Sequence, residues 1–189
     1  MEKPILFSAP MVKAILGGRK TMTRRVVDPQ FTALWGQGIR AGHEDAYSIH
    51  VNIMADDGSW KWLKCPYGKP GDTLWVRETF AVNCVGGQDF VFYRADCGSD
   101  GDGATWKPSI FMPRKYSRIT LRITGIRAER LQDISEEDAK AEGVTAWHDT
   151  TTGTAYRPEF CILWDSINAK RGYGWDTNPW VWIVSFEKV

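Results

Sequence analysis

Residues 17–25, GGRKTMTRR, place a lysine and two threonines directly behind a pair of glycines. The glycines are expected to end a helix, since glycine tolerates the left-handed turn that closes one. Lys20 then lies in a turn, ahead of a strand that carries Thr23 and Arg25 on one face. A cation above a hydroxyl at such a corner can bind an anion or activate a nucleophile. The alternative is ordinary surface charge, because cations are also favourable near the negative end of a helix.

A glutamate more than a hundred residues downstream is the natural partner of this lysine. Glu142 lies near the end of segment 135–143, SEEDAKAEG, in which Ser135 can cap a helix and Gly143 can end it. The helix dipole disfavours a carboxylate in the last turn by about 0.3–1 kcal/mol. An ion pair with Lys20 would recover that cost. Without such a partner, Glu142 would be one more solvated acid on an acidic helix.

An amine, a hydroxyl and a carboxylate are the groups that an acyl transfer needs. Thr23 would attack an acyl carbon, or position a water that does. Lys20 would accept the hydroxyl proton, with its pKa lowered in a dry pocket. Glu142 would orient Lys20 and pass a proton to the leaving amine. The reverse assignment is equally consistent with these residue types, with Glu142 as the base and Lys20 as the partner of the oxyanion.

Aromatic and charged side chains elsewhere in the chain could bind a planar ligand. Trp75 and Arg77 share one face of a predicted strand, which sets a stacking surface beside a guanidinium, and Glu78 follows them. Arg25 could meet a phosphate or a carboxylate. Trp175 lies in a basic and aromatic loop, KRGYGWDTNP. Each has a structural alternative, such as a core tryptophan, an edge arginine or an ordinary surface turn.

The elements that must position these residues are mostly short strands. Strands are predicted in the segments ILFS, TMTRRVV, TLWVRETF, DFVFYRA, SRITLRITGIRAERL and WVWIVSFEKV, and one more near residues 47–53. Helices are predicted in PMVKAIL, in DISEEDAKAEGV and from Pro158 onward. In the last helix the apolar residues recur at helical spacing: Phe160, Leu163, Trp164 and Ile167. This pattern predicts an α+β fold built on a small, partly open barrel.

Length, net charge and cysteine content restrict the kinds of protein and of binding partner that this sequence can represent. A chain of 189 residues with a net charge of +1 predicts one domain and no global attraction to long nucleic acid. The four cysteines and three histidines lack zinc-site spacing, so neither a metal nor a cofactor is expected. No apolar run reaches the roughly 18 residues of a membrane span, and no signal peptide is recognisable. We therefore expect a cytoplasmic protein with no membrane partner.

Three motifs follow one another in the order ILGGRKTMTRR, PGDTLWVRE and ISEEDAKAEG. With the final helix and strand they cover a little over half of the chain, and they resemble the ASCH (activating signal cointegrator homology) family, relatives of the PUA fold. The segments WKPSIFMPRKYSRITL and NPWVWIVSF are similar to a longer, often prophage-encoded branch. The resemblance implies one domain over residues 1–189, a small PUA-like barrel of mixed, mostly antiparallel strands with two or three short helices. Segments 28–64 and 81–116 look like insertions into it.

The resemblance also implies an activity. In compact bacterial members of the family, a lysine, a threonine and a glutamate hydrolyse the amide of N(4)-acetylcytidine, and the matching residues here are Lys20, Thr23 and Glu142. The expected protein is thus an amidohydrolase of an acylated nucleoside, whose partner is a small nucleoside-like substrate or a single base of RNA or DNA. Two alternatives stay open, namely a non-catalytic PUA-like module that reads a modified base, and a ribonuclease. A reader would not require Glu142.

Overall fold

A computed structural model of the protein describes residues 1–28, 30, 33–38, 48–52, 60–97, 104–149 and 153–189. Three α-helices lie in this part of the chain, α1 (Ala9–Leu16), α2 (Glu136–Ala141) and α3 (Arg157–Asn168). The strands are β1 (Glu2–Leu6), β2 (Met22–Val26), β3 (Ala33–Gly38), β4 (Ser48–Asn52), β5 (Trp60–Lys64), β6 (Thr73–Arg77), β7 (Phe80–Val85), β8 (Gln88–Tyr93), β9 (Thr120–Arg130), β10 (Trp147–Asp149), β11 (Gly153–Ala155) and β12 (Trp180–Lys188). The predicted α+β class is confirmed.

The main sheet has five strands in the order β1-β6-β9-β12-β2. Strands β1 and β6 run parallel, and the other three neighbouring pairs are antiparallel, so the sheet is mixed and mostly antiparallel. Its edges are β1 and β2, and over the described residues strand pairing leaves the sheet open. One side chain links the two edges, because Arg25 of β2 donates from Nη2 to the Leu6 carbonyl of β1 at 2.8 Å.

Strand β12 lies between β9 and β2, as its nearly continuous apolar sequence predicts. Its side chains alternate between two buried clusters, one on each face of the sheet. Val184 belongs to the cluster that also holds Val12 of α1. Ile183 belongs to the other cluster, together with Ala139 of α2 and Phe160 of α3. The sheet therefore has α1 on one face and α2 with α3 on the other.

Two adjacent residues of β2, Thr23 and Arg24, point to opposite faces of the main sheet. Thr23 pairs with Val184, and Arg24 pairs with Ile183. Directly opposed residues of an antiparallel pair point to the same side of the sheet. Thr23 therefore faces the α1 side, whereas Arg24 faces the side of α2 and α3.

Several smaller elements differ from the sequence prediction. The predicted strand TLWVRETF is interrupted, since β6 ends at Arg77 and β7 begins at Phe80. Segment 28–64 contains the three-stranded sheet β3-β4-β5 in place of one strand, and β10 and β11 form an unpredicted pair. Strand β3, ALWGQG, is interrupted by glycines, and strands of three residues are too short to show alternation, so neither carries a readable pattern.

The two segments predicted to be insertions hold additional strands. The β3-β4-β5 sheet falls in segment 28–64, and the β7-β8 hairpin falls in segment 81–116 except for Phe80, the first residue of β7. Their status as insertions stays a prediction. In the described ranges, no helix has the length and apolar character needed to cross a membrane.

Candidate active site

The turn between α1 and β2 is set by the two glycines. Helix α1 ends at Leu16, and Gly18 adopts a left-handed φ of 71° that favours glycine. The main-chain amides of Arg19 and Lys20 both donate to the Ala14 carbonyl, at 2.9 and 3.1 Å. Lys20 therefore lies in the turn between the helix and the strand, where the sequence predicted it.

The C-terminus of α2 meets this turn at close range. Ser135 caps the start of the helix by accepting a main-chain N–H, and Glu142 caps its end. Gly143 then has a φ of 86°. A Cβ atom at this position would lie 2.7 Å from the Lys20 Cβ and 2.8 Å from the Ala14 Cβ. A glycine here lets the helix end directly against Lys20.

The last carbonyls of α2 are satisfied by the turn. The Thr21 amide donates to the Ala141 carbonyl at 2.9 Å, and Lys20 Nζ donates to the Glu142 carbonyl at 2.7 Å. Arg19 donates to the next carbonyl at 3.4 Å. A helix leaves its final carbonyls without partners inside the helix, and cations are favourable there. Arg19 and Lys20 follow α1 in the chain, but their side chains bind carbonyls at the C-terminal end of α2. The sequence did not indicate this contact.

Lys20 and Glu142 form a buried ion pair. Lys20 Nζ lies 2.7 Å from Glu142 Oε2, and the two side chains are 2% and 4% exposed. Burial disfavours the ammonium and lowers the pKa of Lys20 below its ordinary value of 10.5. The Glu142 carboxylate opposes this shift, whereas the nearby charges of Arg25 and Arg24 add to it.

Thr23 and Arg25 lie on the Lys20 side of β2. Thr23 is buried, and its Oγ1 accepts a hydrogen bond from Arg25 Nη1 at 2.8 Å. The Lys20 ammonium and the Arg25 guanidinium both lie over the Phe7 ring, 5.6 and 5.1 Å from its centre. The structure therefore places an amine and a guanidinium over one aromatic ring, with the Thr23 hydroxyl bound to the guanidinium.

One cavity of about 500 Å³ borders all of these groups. Lys20, Thr23, Arg25 and Glu142 contribute to its wall, together with Phe7. A concave site of this kind, with a few polar groups among aromatic and aliphatic ones, is typical of small-molecule binding.

Helix α3 forms a further part of the cavity wall. The predicted apolar face of this helix lines it with four side chains: Phe160, Leu163, Trp164 and Ile167. Phe160 and Trp164 are also part of the core, whereas Ile167 is half exposed. The helical periodicity thus indicated a real face of α3, part of which lines the cavity as well as the core.

Arg24 also belongs to this site, although the sequence prediction did not include it. Its guanidinium is buried and lines the same cavity, with Nη1 3.4 Å from Glu142 Oε1. Its Nη2 lies 2.7 Å from both Glu129 Oε1 and Asp138 Oδ2. Strand alternation places Arg24 on the face of β2 opposite Thr23, which excluded it from the predicted site. The one signal in the sequence was the acidic first turn of α2, because Asp138 in that turn is a partner of the buried Arg24.

Trp75, Arg77 and Glu78 lie away from the described lining of this cavity. Arg77 stacks on the Trp75 ring at 5.3 Å and donates from Nε to a main-chain carbonyl at 3.0 Å. Glu78 is buried and paired with Arg118, 2.9 Å from its Nε, and burial raises the pKa of this carboxyl. The predicted pairing of Trp75 with a guanidinium is therefore present, at another place on the sheet.

Trp175, the fifth predicted binding residue, packs against α3. Its ring packs edge-on against Phe160 with 6.4 Å between ring centres, and its main-chain N–H donates to Asp165 at 2.6 Å. Trp175 supports the helix that carries Phe160 and is not part of the described cavity wall. Of the predicted binding residues, Arg25 alone lies at the cavity.

The side chains at the cavity wall carry several reactive and charged groups. Among the described residues, no group of three or more His, Cys, Asp or Glu side chains could hold a metal ion. The cavity instead brings together an amine, a hydroxyl, a carboxylate and two guanidinium groups. No protein-family model, no curated protein and no solved structure matches this chain.

Proposed function

We propose that the protein is an amidohydrolase that acts on a small acylated nucleoside such as N(4)-acetylcytidine through Lys20, Thr23 and Glu142. One observation carries the proposal. Lys20 and Glu142 are 122 residues apart in the chain, yet they meet at 2.7 Å in the buried wall of a cavity that Thr23 also lines. Bringing these two charges out of water is costly, and such groups are concentrated at sites where their chemistry is used.

Thr23 is the nucleophile in this proposal. Its Oγ1 accepts from Arg25, so its own proton is left to be donated to a base. The Arg25 guanidinium also stabilises negative charge that develops on Oγ1 or on the acyl oxygen. Lys20 is the base, because burial makes its neutral amine accessible at lower pH than that of an exposed lysine.

The reaction then proceeds in two transfers. Thr23 Oγ1 bonds to the acyl carbon while Lys20 Nζ takes the hydroxyl proton. The C–N bond breaks, and the proton passes from Lys20 to the leaving exocyclic amine. Water attacks the resulting threonine ester, with Lys20 again accepting a proton and returning it to Oγ1. Glu142 holds Lys20 Nζ in place throughout by its 2.7 Å contact.

The size and lining of the cavity favour a small-molecule substrate and not a polymer. Its volume of about 500 Å³ lies within the range of roughly 300–1,000 Å³ that is usual for small-molecule sites. Phe7 and Trp164 offer aromatic surface in its wall, which suits a nucleobase. The net charge of +1 provides no strong attraction to extended nucleic acid.

We also infer that the main sheet is a PUA-like barrel of the ASCH type, in a cytoplasmic protein. Two features support the barrel, namely the mostly antiparallel pairing and the hydrogen bond by which Arg25 links the edge strand β2 to Leu6 of β1. All four cysteines are free thiols, as in most proteins of a reducing compartment.

The direct test is turnover of N(4)-acetylcytidine by the purified protein. We expect release of cytidine and acetate, measured by chromatography, and loss of this activity in Lys20→Ala and in Glu142→Ala. Arg122→Gln is the control, because Arg122 forms an exposed ion pair with Glu187 on the sheet. A wild-type protein that hydrolyses none of a panel of acylated nucleosides overturns the proposal.

The same preparation distinguishes the two alternatives. A reader of modified bases binds RNA or DNA with strong salt dependence, and Glu142→Ala leaves that binding intact. A ribonuclease cleaves RNA, and Thr23→Val shows whether the same cavity is responsible.

A further inference from the structure

Arg24 is a buried guanidinium that reaches three carboxylates from two other parts of the fold. Its side chain is 0% exposed. Nη2 binds Glu129 of β9 and Asp138 of α2, each at 2.7 Å, and Nη1 lies 3.4 Å from Glu142 Oε1. Arg24 therefore connects the proposed catalytic carboxylate to both β9 and α2.

A second, partly exposed arginine binds two of the same carboxylates. Arg127 of β9 donates from Nε to Glu129 Oε2 at 3.2 Å and from Nη2 to Asp138 Oδ2. With the ion pair of the cavity, the cluster holds as many cations as carboxylates: Lys20, Arg24 and Arg127 with Glu129, Asp138 and Glu142. Such balance is what allows a charged group to be buried at this depth.

The Glu142 carboxylate is held through both of its oxygens. Oε2 accepts from Lys20 at 2.7 Å, and Oε1 accepts from Arg24 at 3.4 Å. A carboxylate bound on one oxygen only is free to rotate about its last side-chain torsion, which is broad. The second contact, although longer, restricts this rotation.

A purely structural role for Arg24 is a weak explanation of the cluster. Buried ion pairs contribute little net stability, and well-packed apolar residues often replace all members of such a cluster together without loss. An aliphatic side chain here would pack beside Phe160, whose ring already lies 5.8 Å from the guanidinium. An aliphatic side chain could bind none of the three carboxylates, and of these Glu142 is the one that contacts the proposed base.

We propose that Arg24 is a positioning residue that holds Glu142 Oε1 so that Oε2 stays against the Lys20 ammonium. Arg24 acts through Glu142, and Glu129 and Asp138 keep the guanidinium in place. This role rests on the proposed function, in which Lys20 is the group that moves the proton. The charged side chains that face Lys20 are Glu142 from α2 and Arg24 and Arg25 from β2.

The first test measures Lys20 directly and needs no substrate. Protein labelled with ¹³C and ¹⁵N in lysine is titrated by NMR, and the Lys20 signal is assigned by its absence in Lys20→Met. Arg24→Gln removes one positive charge near Lys20. Glu142 then keeps Lys20 as its ion-pair partner and loses the Arg24 guanidinium. We expect the Lys20 titration midpoint to move to higher pH.

Arg127→Gln is the matched control. It removes a cation of the same network that touches Glu129 and Asp138, while the contacts of Lys20 and Glu142 are left in place. We expect both variants to lose some stability and only Arg24→Gln to shift the Lys20 midpoint. A folded Arg24→Gln protein with the wild-type midpoint, or an equal shift in Arg127→Gln, overturns the positioning role.

Arg24→Lys covers the case in which the glutamine variant does not fold. Lysine keeps the charge, but one ammonium cannot span three carboxylates. Because the charge near Lys20 is kept, the Lys20 midpoint in this variant reports the looser Glu142 carboxylate alone. We expect it to move to lower pH as Oε2 leaves the ammonium, and an unchanged midpoint in this variant overturns the proposal.

The second test uses turnover and separates this inference from the proposed function. We expect kcat of Arg24→Lys to fall by about 100-fold with KM little changed, because the base is misplaced while the other side chains of the cavity wall stay the same. Turnover reduced no more than in Arg127→Gln contradicts the positioning role and leaves the hydrolase standing. If no acylated nucleoside is hydrolysed by the wild type, the hydrolase is excluded and the NMR titration alone decides the role of Arg24.

Discussion

The Lys20 ammonium is bound twice by Glu142, once by the carboxylate and once by the main-chain carbonyl, each at 2.7 Å. The first contact is an ion pair, and the second satisfies a carbonyl at the C-terminus of α2. The lysine is therefore held by the backbone as well as by a side chain. This double attachment determines how variants of either residue should behave.

Removing Lys20 should destabilise the protein strongly. Lys20→Met leaves Glu142 buried with Arg24 as its remaining cation, and loss of one partner of a buried pair costs about 3–5 kcal/mol. The double variant Lys20→Met/Glu142→Gln should cost less than the sum of the single variants, since neither charge is then left unpaired. Urea unfolding measures all three free energies of unfolding.

The exposed pair of Arg122 and Glu187 is the control for this cycle, because each side chain is about half exposed. Arg122→Gln should cost less than about 1 kcal/mol. If Lys20→Met lowers the free energy of unfolding no more than this control, loss of one partner of the buried ion pair is not strongly destabilising.

Gly143→Ala should disturb the site more than an alanine at another left-handed glycine. The new Cβ would lie 2.7 Å from the Lys20 Cβ, which adds about 1–3 kcal/mol of overpacking to the cost of the positive φ. Gly18→Ala has a similar φ and no atom within 4 Å of its Cβ, so it should cost only about 1–2 kcal/mol. Thermal unfolding and turnover of both variants check this, and equal effects would argue against close packing of α2 on Lys20.

Thr23→Val tests the proposed nucleophile with little change of shape. We expect turnover to fall by roughly 10⁴-fold or more, as for loss of one member of a catalytic triad. Stability should change by only about 1 kcal/mol, because Arg25 loses one neutral acceptor and keeps its bond to the Leu6 carbonyl. Thr23→Ser retains the hydroxyl and should retain measurable turnover. Similar rates in the valine and serine variants would exclude Thr23 as nucleophile.

The pH dependence of turnover distinguishes the two assignments of the base. Burial lowers the pKa of Lys20 below 10.5, so if neutral Lys20 is the base, kcat rises with pH and levels off above a midpoint below that value. If the charged lysine is required, kcat instead falls as pH rises through the same midpoint, and Glu142 becomes the base. We expect the rising profile, measured between pH 6 and 10.5 on protein shown to be folded throughout.

The spacing of residues predicted part of the site because local rules determined it. Glycines next to Lys20 and Glu142 end helices, and this conclusion needs no knowledge of the rest of the fold. The alternation of β2 likewise placed Thr23 and Arg25 on one face. The meeting of Lys20 with Glu142 was inferable from an unfavourable charge at a helix end that required a partner.

Arg24 was missed because alternation assumes that the two faces of a strand look into separate spaces. Among the described strands β2 lies at the edge of the sheet, and Arg24 and Thr23 both line the cavity although they lie on opposite faces of β2. Whether a strand is at an edge depends on the order of the whole sheet, which no local pattern contains.

The placement of Trp75 and Arg77 illustrates a second limit. Their spacing of two residues correctly indicated a shared face, and the guanidinium does stack on the indole. Which part of the molecule that face borders depends on the parallel pairing of β6 with β1. The sequence therefore predicts the local contact and leaves its position relative to the cavity undetermined.

The position of β12 has a consequence for how the protein is made. In the described part of the fold, β2 pairs with β12 alone, so the strand that carries Thr23 gains its neighbour only when residues 180–188 have left the ribosome. A nascent chain that stops before Trp180 already contains the lysine, the threonine and the glutamate, but its β2 has no strand beside it. Such truncated translation products should be inactive and prone to aggregate through the unpaired backbone.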